Sequence, residues 1–189
     1  MDGRRSDTRE RIRSVAMELF SEHGYEKTSL REIAERLDVT KAALYYHFKT
    51  KEDIIVSLFD DNLSRLDDLI AWGREQPATR ETRQELVRRY AEHLYESGPG
   101  MMRFAHENQG TMRDLAVGEK LKSRMKSLRQ LLIDPKAPLT DQLKSVVAIF
   151  SLNVGLFAFE DYDITEEERR ATGIAVALEL VSGSDDATG

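Results

Sequence analysis

Apolar residues recur every three or four positions along most of this 189-residue chain, which is the spacing of one helix face. In the first predicted helix, over residues 7–23, Ile12, Leu19 and Phe20 fall on one such face. Gly24 follows at the position where a left-handed backbone commonly ends a helix. The pattern therefore predicts an amphipathic helix whose apolar face packs on a core.

Two short helices follow, and helix-capping residues mark where each of them begins. Ser29 precedes the first, and Glu32 stands three residues later, which is a capping-box pattern. Thr40 precedes the second, predicted over residues 41–48, and a tight break around Asp38 separates the two. Two such helices, about 20 residues long together, are typical of a helix-turn-helix.

The rest of the chain is also predicted to be helical. A longer fourth helix begins at a second capping-box pattern, Thr50 with Asp53, and runs to about residue 72. Five further helices are expected at residues 79–96, 100–108, 111–133, 140–159 and 165–181. The prediction is an all-α fold of about nine helices. Its parts are an N-terminal three-helix helix-turn-helix domain over 1–50, a C-terminal helical domain over 51–182, and a disordered tail over 183–189.

Composition narrows the class of protein. The chain contains no cysteine, so disulfides and cysteine-ligated zinc sites are excluded. No apolar run reaches the roughly 18 residues that suggest a membrane-spanning helix, and the polar residues 1–13 do not form a signal peptide. We expect a soluble cytoplasmic protein that has no contact with a membrane.

The net charge of −6 is unusual for a protein that binds DNA, but it is unevenly distributed. Of the 28 basic and 34 acidic side chains, 11 of each lie within residues 1–53, so the excess of acid belongs entirely to the remainder. A neutral segment still binds phosphates when its basic residues gather on one face. The overall charge therefore does not argue against DNA binding.

The second short helix carries large side chains that its core does not need. Leu44 and Phe48 suffice for packing, which leaves Tyr45, Tyr46 and His47 on the outer face. Hydroxyl and imidazole groups donate to phosphates, and the two alanines before them allow a close approach to a DNA groove. The alternative is a local aromatic cluster packed on the fourth helix.

These segments resemble the TetR family of transcriptional repressors. The resemblance lies in residues 20–25, 28–34 and 39–51, and it is strong over about residues 8–55. It implies that ten residues meet DNA: Ser29, Arg31, Thr40, Lys41, Ala42, Ala43, Tyr45, Tyr46, His47 and Lys51. Asp38 departs from the family, which most often has glycine in the turn, but Asp tolerates a left-handed backbone better than most residues.

The resemblance also divides these ten residues by role. Lys41, Ala42 and Tyr45 fall where the family meets bases or the groove floor, and Arg31 falls where some members touch a base. The other six fall at phosphates. Five arginines near the start either reach the flanking DNA backbone or form a solvated charged end: Arg4, Arg5, Arg9, Arg11 and Arg13.

The last two long helices are expected to form a homodimer interface. Residues 146–159 are apolar except at Ser151, Asn153 and Gly155, and a helix that is apolar all round must be buried all round. In TetR-like proteins these helices form a four-helix contact with the partner subunit. Burial wholly within one chain is the alternative.

The resemblance further implies a pocket for a small-molecule effector, with no cofactor. The candidate lining residues are Trp72, Tyr90, His93, Met101, Met102, Phe104, Met112, Phe150, Asn153 and Phe157. Each of them also suits an ordinary core, and Asn153 is the most informative because a polar amide in an apolar helix needs a partner. His93 and His106, with nearby glutamates, lack the spacing of a metal site, so we predict no metal. The sequence offers no Ser-His-Asp triad and no paired catalytic carboxylates, so we also predict no catalytic residues.

The sequence thus predicts a ligand-responsive regulator, most simply a repressor. As a dimer it would hold a palindromic double-stranded DNA operator, and a small, largely apolar effector would release it by changing the separation of the DNA-binding heads through the long fourth helix. Two alternatives remain open. One is a DNA-binding protein that is constitutive or regulated by a protein partner, and the other is an enzyme that has kept a degenerate helix-turn-helix.

Overall fold

The fold is entirely helical over the part of the chain that the computed structural model describes, which comprises residues 2–97, 99–108, 110, 112, 115–159 and 162–182. Within these residues there is no strand, as the sequence predicts. Nine helices are described: α1 (Asp2–His23), α2 (Leu30–Arg36), α3 (Lys41–His47), α4 (Lys51–Glu75), α5 (Arg80–Glu96), α6 (Pro99–Glu107), α7 (Ala116–Leu132), α8 (Leu139–Phe157) and α9 (Glu166–Ser182).

Local capping hydrogen bonds set the starts of the helices around the predicted helix-turn-helix. Ser29 Oγ accepts from the Glu32 amide at 3.2 Å, and the Glu32 carboxylate accepts from the Ser29 amide at 3.5 Å. Thr50 and Asp53 exchange the same pair of bonds at 3.0 and 2.9 Å. Thr40 Oγ1 accepts from an amide in the first turn of α3. Both predicted capping boxes are therefore confirmed.

Two predicted helix starts differ from the structure by five residues. α1 begins at Asp2 rather than at residue 7, because charged residues continue a helix without adding to the apolar periodicity that was used to find it. The helix predicted over 111–133 begins at Ala116, and part of the segment before it lies outside the described residues. The predicted tail over 183–189 also lies outside them.

The helices group into two compact units, which do not follow the predicted domain boundary at residue 50. Unit 1 takes residues 1–63 and 98–120, and unit 2 takes residues 64–97 and 121–189. The first half of α4, all of α6 and the start of α7 therefore belong with the N-terminal helices, and α4 runs through both units.

Unit 1 is built around a continuous apolar core. Its most deeply buried side chains are apolar: Ile12, Leu19, Phe20, Ile33, Leu44, Ile54, Ile55 and Phe59. The rings of Phe20, Tyr25 and Phe104 pack together with centroids 5.2, 5.7 and 5.9 Å apart, and they attach α6 to α1. Full burial of each such side chain contributes about 1.5–3 kcal/mol. This core fixes α2 and α3 in place.

A left-handed residue makes the turn between α2 and α3. Asp38 has a φ of 54°, and the Val39 amide donates back to Ala34 O at 3.1 Å while the Asp38 amide donates to Glu35 O at 3.2 Å. These two bonds form a Schellman motif, which satisfies the last carbonyls of α2 and turns the chain sharply. Asp38 thus adopts the backbone for which the TetR-like pattern most often has glycine.

In unit 2, α8 and α9 approach each other closely at two glycines. A Cβ added to Gly155 would lie 3.3 Å from Gly173 Cα, so that backbone would have to shift by a few tenths of an ångström, whereas the 3.5 Å to Arg169 O is ordinary contact. A Cβ added to Gly173 would meet its nearest atoms at 3.7 Å, which is ordinary contact. The close approach therefore depends on Gly155 more than on Gly173.

The substitution Gly155→Ala is expected to lower the free energy of unfolding by about 1–2 kcal/mol, because overpacking outweighs the gain in helix propensity. Gly173→Ala keeps that gain without the clash, so it should leave stability unchanged or raise it by up to about 1 kcal/mol. Urea unfolding at one fixed protein concentration measures both. Equal stabilisation by the two substitutions would contradict the close approach at Gly155.

Candidate nucleic-acid interface

The outer face of α3 carries the predicted row of polar-tipped rings. Leu44 is fully buried and Phe48 nearly so, and both point into the core of unit 1. Tyr46 on the opposite side is 62 % exposed, while Tyr45 and His47 are partly exposed. The rings of Tyr46 and His47 meet edge to face at 5.3 Å. Most of the Tyr46 side chain is therefore presented to solvent.

A cleft of about 550 Å³ in unit 1 brings five of the predicted DNA-contact residues together. They come from the start of α2, from α3 and from the start of α4: Ser29, Arg31, Lys41, Tyr45 and Lys51. Glu26 and Glu52 line the same cleft, so three cations face it together with two carboxylates. The other predicted contacts, Thr40, Ala42, Ala43, Tyr46 and His47, lie on α3 or at its N-cap.

The hydroxyl groups at the starts of the two short helices can serve two purposes. Ser29 Oγ and Thr40 Oγ1 each accept a hydrogen bond from a backbone amide of the helix that follows. A hydroxyl that accepts in this way still carries a hydrogen to donate. Both side chains are exposed, so each can cap its helix and donate to a phosphate at the same time.

Arg31 and Lys41 are exposed, and each contacts a neighbouring side chain on its own helix. Arg31 Nε donates to Glu35 Oε1 at 2.7 Å one turn along α2, and this bond raises the pKa of the guanidinium. An exposed ion pair of this kind contributes little to stability, so Arg31 can exchange Glu35 for another partner. Lys41 Nζ lies 5.4 Å from the centre of the Tyr45 ring, which places a cation beside that ring.

Lys51 makes contacts within unit 1 that a lysine used only to bind phosphate would not need. Its Nζ donates to Tyr25 O at 2.6 Å and to Glu26 O at 3.3 Å, and it lies 4.4 Å from the centre of the Tyr25 ring. The side chain thus ties the start of α4 to the connection between α1 and α2. Sequence reasoning missed this structural role, because the carbonyls lie about 25 residues away along the chain.

Two of the N-terminal arginines, Arg9 and Arg13, bind side chains of unit 1. Arg9 donates to Ser57 Oγ at 2.9 Å and lies 4.9 Å above the Phe48 ring, while Arg13 pairs with Asp61. These two fasten α1 to α4. Arg11 is exposed, and the side chains of Arg4 and Arg5 lie outside the described residues.

The predicted effector-pocket residues are divided between the two units. Phe104 and Met112 are buried in unit 1, and Met101 is half-buried there. In unit 2, Tyr90 and His93 are buried, Trp72 and Asn153 are half-buried, and Phe150 is 56 % exposed. The side chains of Met102 and Phe157 lie outside the described residues. Among the described candidates, the buried or half-buried side chains with polar N or O atoms therefore all belong to unit 2.

Tyr90 and Asn153 meet inside unit 2. Burial raises the pKa of Tyr90 to about 12, and a hydrogen bond with Asn153 partly opposes this shift. The Tyr90 hydroxyl also lies 3.6 Å from Met125 Sδ, which is a weak acceptor. Asn153 Nδ2 donates to Ile149 O at 2.9 Å, so a neighbouring carbonyl is one of the partners that this amide needs.

A second cleft, of about 730 Å³, lies between α5 and α9 in unit 2 and was missed by sequence reasoning. Glu92, Glu96, Glu166 and Glu167 line it, and the Arg170 guanidinium lies 4.8 Å from the centre of the Tyr95 ring. The two helices contribute residues about 70 positions apart, so no local pattern could have indicated the cleft.

Two absences hold for the residues that the structure describes. None of their helices is both long and apolar enough to span a bilayer. No three side chains of the metal-ligating types come together there.

Comparison with known proteins agrees with the helix-turn-helix geometry. Residues 12–58 match the family model for bacterial regulatory proteins of the tetR family. The chain is 41 % identical over 63 residues to the HTH-type transcriptional regulator AcrR of Shigella flexneri, covering 33 % of this chain and 29 % of that one. It is 34 % identical over 77 residues to the regulator QacR of Staphylococcus aureus, covering 41 % and 40 %. The chain therefore spans less than half the length of these curated relatives.

Solved structures extend the likeness of fold to nearly the whole chain. Mycobacterium smegmatis AmtR matches with a TM-score of 0.74 and 24 % identity, over 94 % of this chain and 87 % of that one. A transcriptional regulator from Aquifex aeolicus VF5 matches with a TM-score of 0.68 and 23 % identity, over 92 % and 99 %. At this level of identity the likeness establishes the fold alone.

Lys51→Met is expected to lower the free energy of unfolding by about 1–3 kcal/mol, because it leaves the carbonyls of Tyr25 and Glu26 without their donor while keeping a side chain of similar length. Lys49→Met, an exposed neighbour, removes the same charge and should change stability by less than about 0.5 kcal/mol. Urea unfolding of the two variants measures the difference. Equal stability would show that Lys51 is free for phosphate and has no structural role.

Proposed function

We propose that this chain is a member of the TetR family of bacterial regulatory proteins and a ligand-responsive transcriptional regulator, most simply a repressor. In this proposal it binds a palindromic DNA operator as a homodimer, and a small, largely apolar effector releases it. The observation that supports DNA binding most directly is the exposed outer face of α3, where Tyr46 stands beside Tyr45, His47 and Lys41.

The proposed docking places α3 in the major groove. Its N-terminal residues Lys41 and Ala42, with Tyr45 one turn on, would face the base edges, because these positions share one exposed side of the helix. The hydroxyls of Ser29 and Thr40 would donate to phosphates on either side. Small side chains at Ala42 and Ala43 support a close approach, since both are exposed and neither fills the groove.

An apolar stripe on α8 supports pairing with a second copy of the chain. Five exposed residues repeat at intervals of three or four along one face of the helix: Leu139, Leu143, Val147, Phe150 and Val154. On α9, Val176 is also exposed. Exposed stripes of this kind mark protein interfaces in soluble proteins. A two-fold pair would present two copies of α3 to successive major grooves, about 34 Å apart.

The dimer proposal also accounts for Phe150. This residue was predicted as a possible pocket residue, but more than half of its side chain is exposed on the α8 stripe. A partner chain would cover it together with its neighbours. Effector binding is then assigned to the interior polar groups of unit 2, and α4 provides a continuous helical connection between the two units.

Tyr45→Ala is expected to reduce preference for the operator by about 1–3 kcal/mol relative to random DNA, because Tyr45 is assigned to the base edges. Tyr46→Ala, on the phosphate side, should weaken binding to both kinds of duplex similarly. The operator is first selected from random duplexes with the full chain, and fluorescence anisotropy at fixed salt then gives all affinities. The assignment fails if both variants lose the same amount on both duplexes.

Phe150→Glu is expected to shift the protein from dimer to monomer and to lower its operator affinity, because a carboxylate would be buried at the proposed contact. Gln130→Glu adds the same charge at an exposed site on α7 and serves as the control. Sedimentation velocity measures the oligomeric state of each. A stable Phe150→Glu dimer that still binds operator would rule out the α8 stripe as the interface.

A further inference from the structure

His93 is a buried histidine with an unsatisfied ring nitrogen. The residue is 8 % exposed inside unit 2, and within the described part of the chain Nδ1 has no hydrogen-bond partner. Buried polar atoms in folded proteins nearly always have a partner, so an unpaired one calls for a physical explanation. A polar group from outside the chain would supply it.

One other polar side chain packs directly on His93. The Tyr90 ring, one turn earlier on α5, stacks on the imidazole with centroids 6.2 Å apart. The Tyr90 hydroxyl lies 3.6 Å from Met125 Sδ, and burial raises the pKa of that hydroxyl while Asn153 on α8 lowers it in part. The other buried residues described on these two helices are apolar except Ser145 and Gly155. The interior thus offers a few polar atoms among apolar side chains, which is how sites for small, largely apolar molecules are built.

The charges near His93 favour an uncharged ligand. Burial lowers the pKa of His93, the nearby Arg65 cation lowers it further, and Glu96 partly opposes this. Arg65 Nη1 lies 3.5 Å from Glu96 Oε2, so these two charges pair with each other. The imidazole is therefore neutral at neutral pH, and a ligand carboxylate buried beside it would lack a countercharge of its own.

We propose that the effector carries a hydroxyl group that hydrogen-bonds to His93 Nδ1. This inference rests on the proposed function and specifies its ligand as a largely apolar alcohol or phenol. A hydroxyl both donates and accepts, so it satisfies Nδ1 in either tautomer of the neutral ring. A group that can only donate, or an ether oxygen, which can only accept, would fit one tautomer alone.

Matched pairs of small probes test this. 4-Ethylphenol and 4-tert-butylphenol are compared with ethylbenzene and tert-butylbenzene, which have the same apolar shape without the hydroxyl, by calorimetric titration of the full chain. The wild type is expected to bind the phenols about tenfold more tightly than the hydrocarbons. His93→Leu should abolish this preference while leaving hydrocarbon affinity unchanged. His93→Asn, which keeps a polar atom near the position of Nδ1, should retain most of it.

Several outcomes would overturn the inference. They are a wild type that binds none of the probes, a wild type without the preference, and a His93→Leu variant that keeps it. If His93→Leu does not fold, nitrogen NMR of histidine-labelled wild type replaces it: the phenols should shift the His93 Nδ1 resonance, assigned through His93→Asn, and an unmoved resonance refutes the contact.

Operator binding by the same samples separates this inference from the proposed function. A chain that binds operator but shows no phenol preference overturns the His93 assignment and leaves the regulator proposal standing. A chain that prefers the phenols through His93 but binds no operator supports the site and overturns the regulator proposal.

Discussion

The burial of one leucine governs the surface that we propose binds DNA. α3 has seven residues, and an isolated helix of that length is not stable in water. Its only buried residue is Leu44, which is fully enclosed by the core of unit 1, and Phe48 follows directly after the helix. These two side chains fix the rotation of α3 about its axis. Because that rotation is fixed, the remaining side chains of α3 face outward in a single arrangement.

Local rules predicted much of this arrangement. The capping boxes at Ser29 and Thr50 involve atoms at most three residues apart, so the sequence alone located the starts of α2 and α4. The left-handed turn at Asp38 was likewise accessible from residue type and position. All these features depend on a few neighbouring residues, which is why the sequence alone was enough to predict the fold class.

Contacts between distant segments could not be predicted in this way. Phe104 was assigned to an effector pocket from its residue type, but its ring packs on Phe20, more than 80 residues earlier. Lys51 was assigned to phosphate by resemblance, and the structure adds two backbone carbonyls as its partners. Phe150 is of a residue type that is common in cores, but its side chain is exposed. An apolar pattern shows that a face needs covering, and it does not show which segment covers it.

For the proposed DNA binding, the electrostatics of the chain favour selective over indiscriminate contact with a duplex. Two carboxylates share the cleft with three cations, so attraction to phosphate there is weakened relative to a purely basic surface. Residues 54–189 carry the whole net charge of −6 and repel a duplex that approaches them. Nonspecific affinity comes almost entirely from neutralised phosphates, so it stays low in such a chain. More of the affinity must then come from contacts made by neutral groups such as the tyrosines of α3, and these depend on a fixed helix orientation.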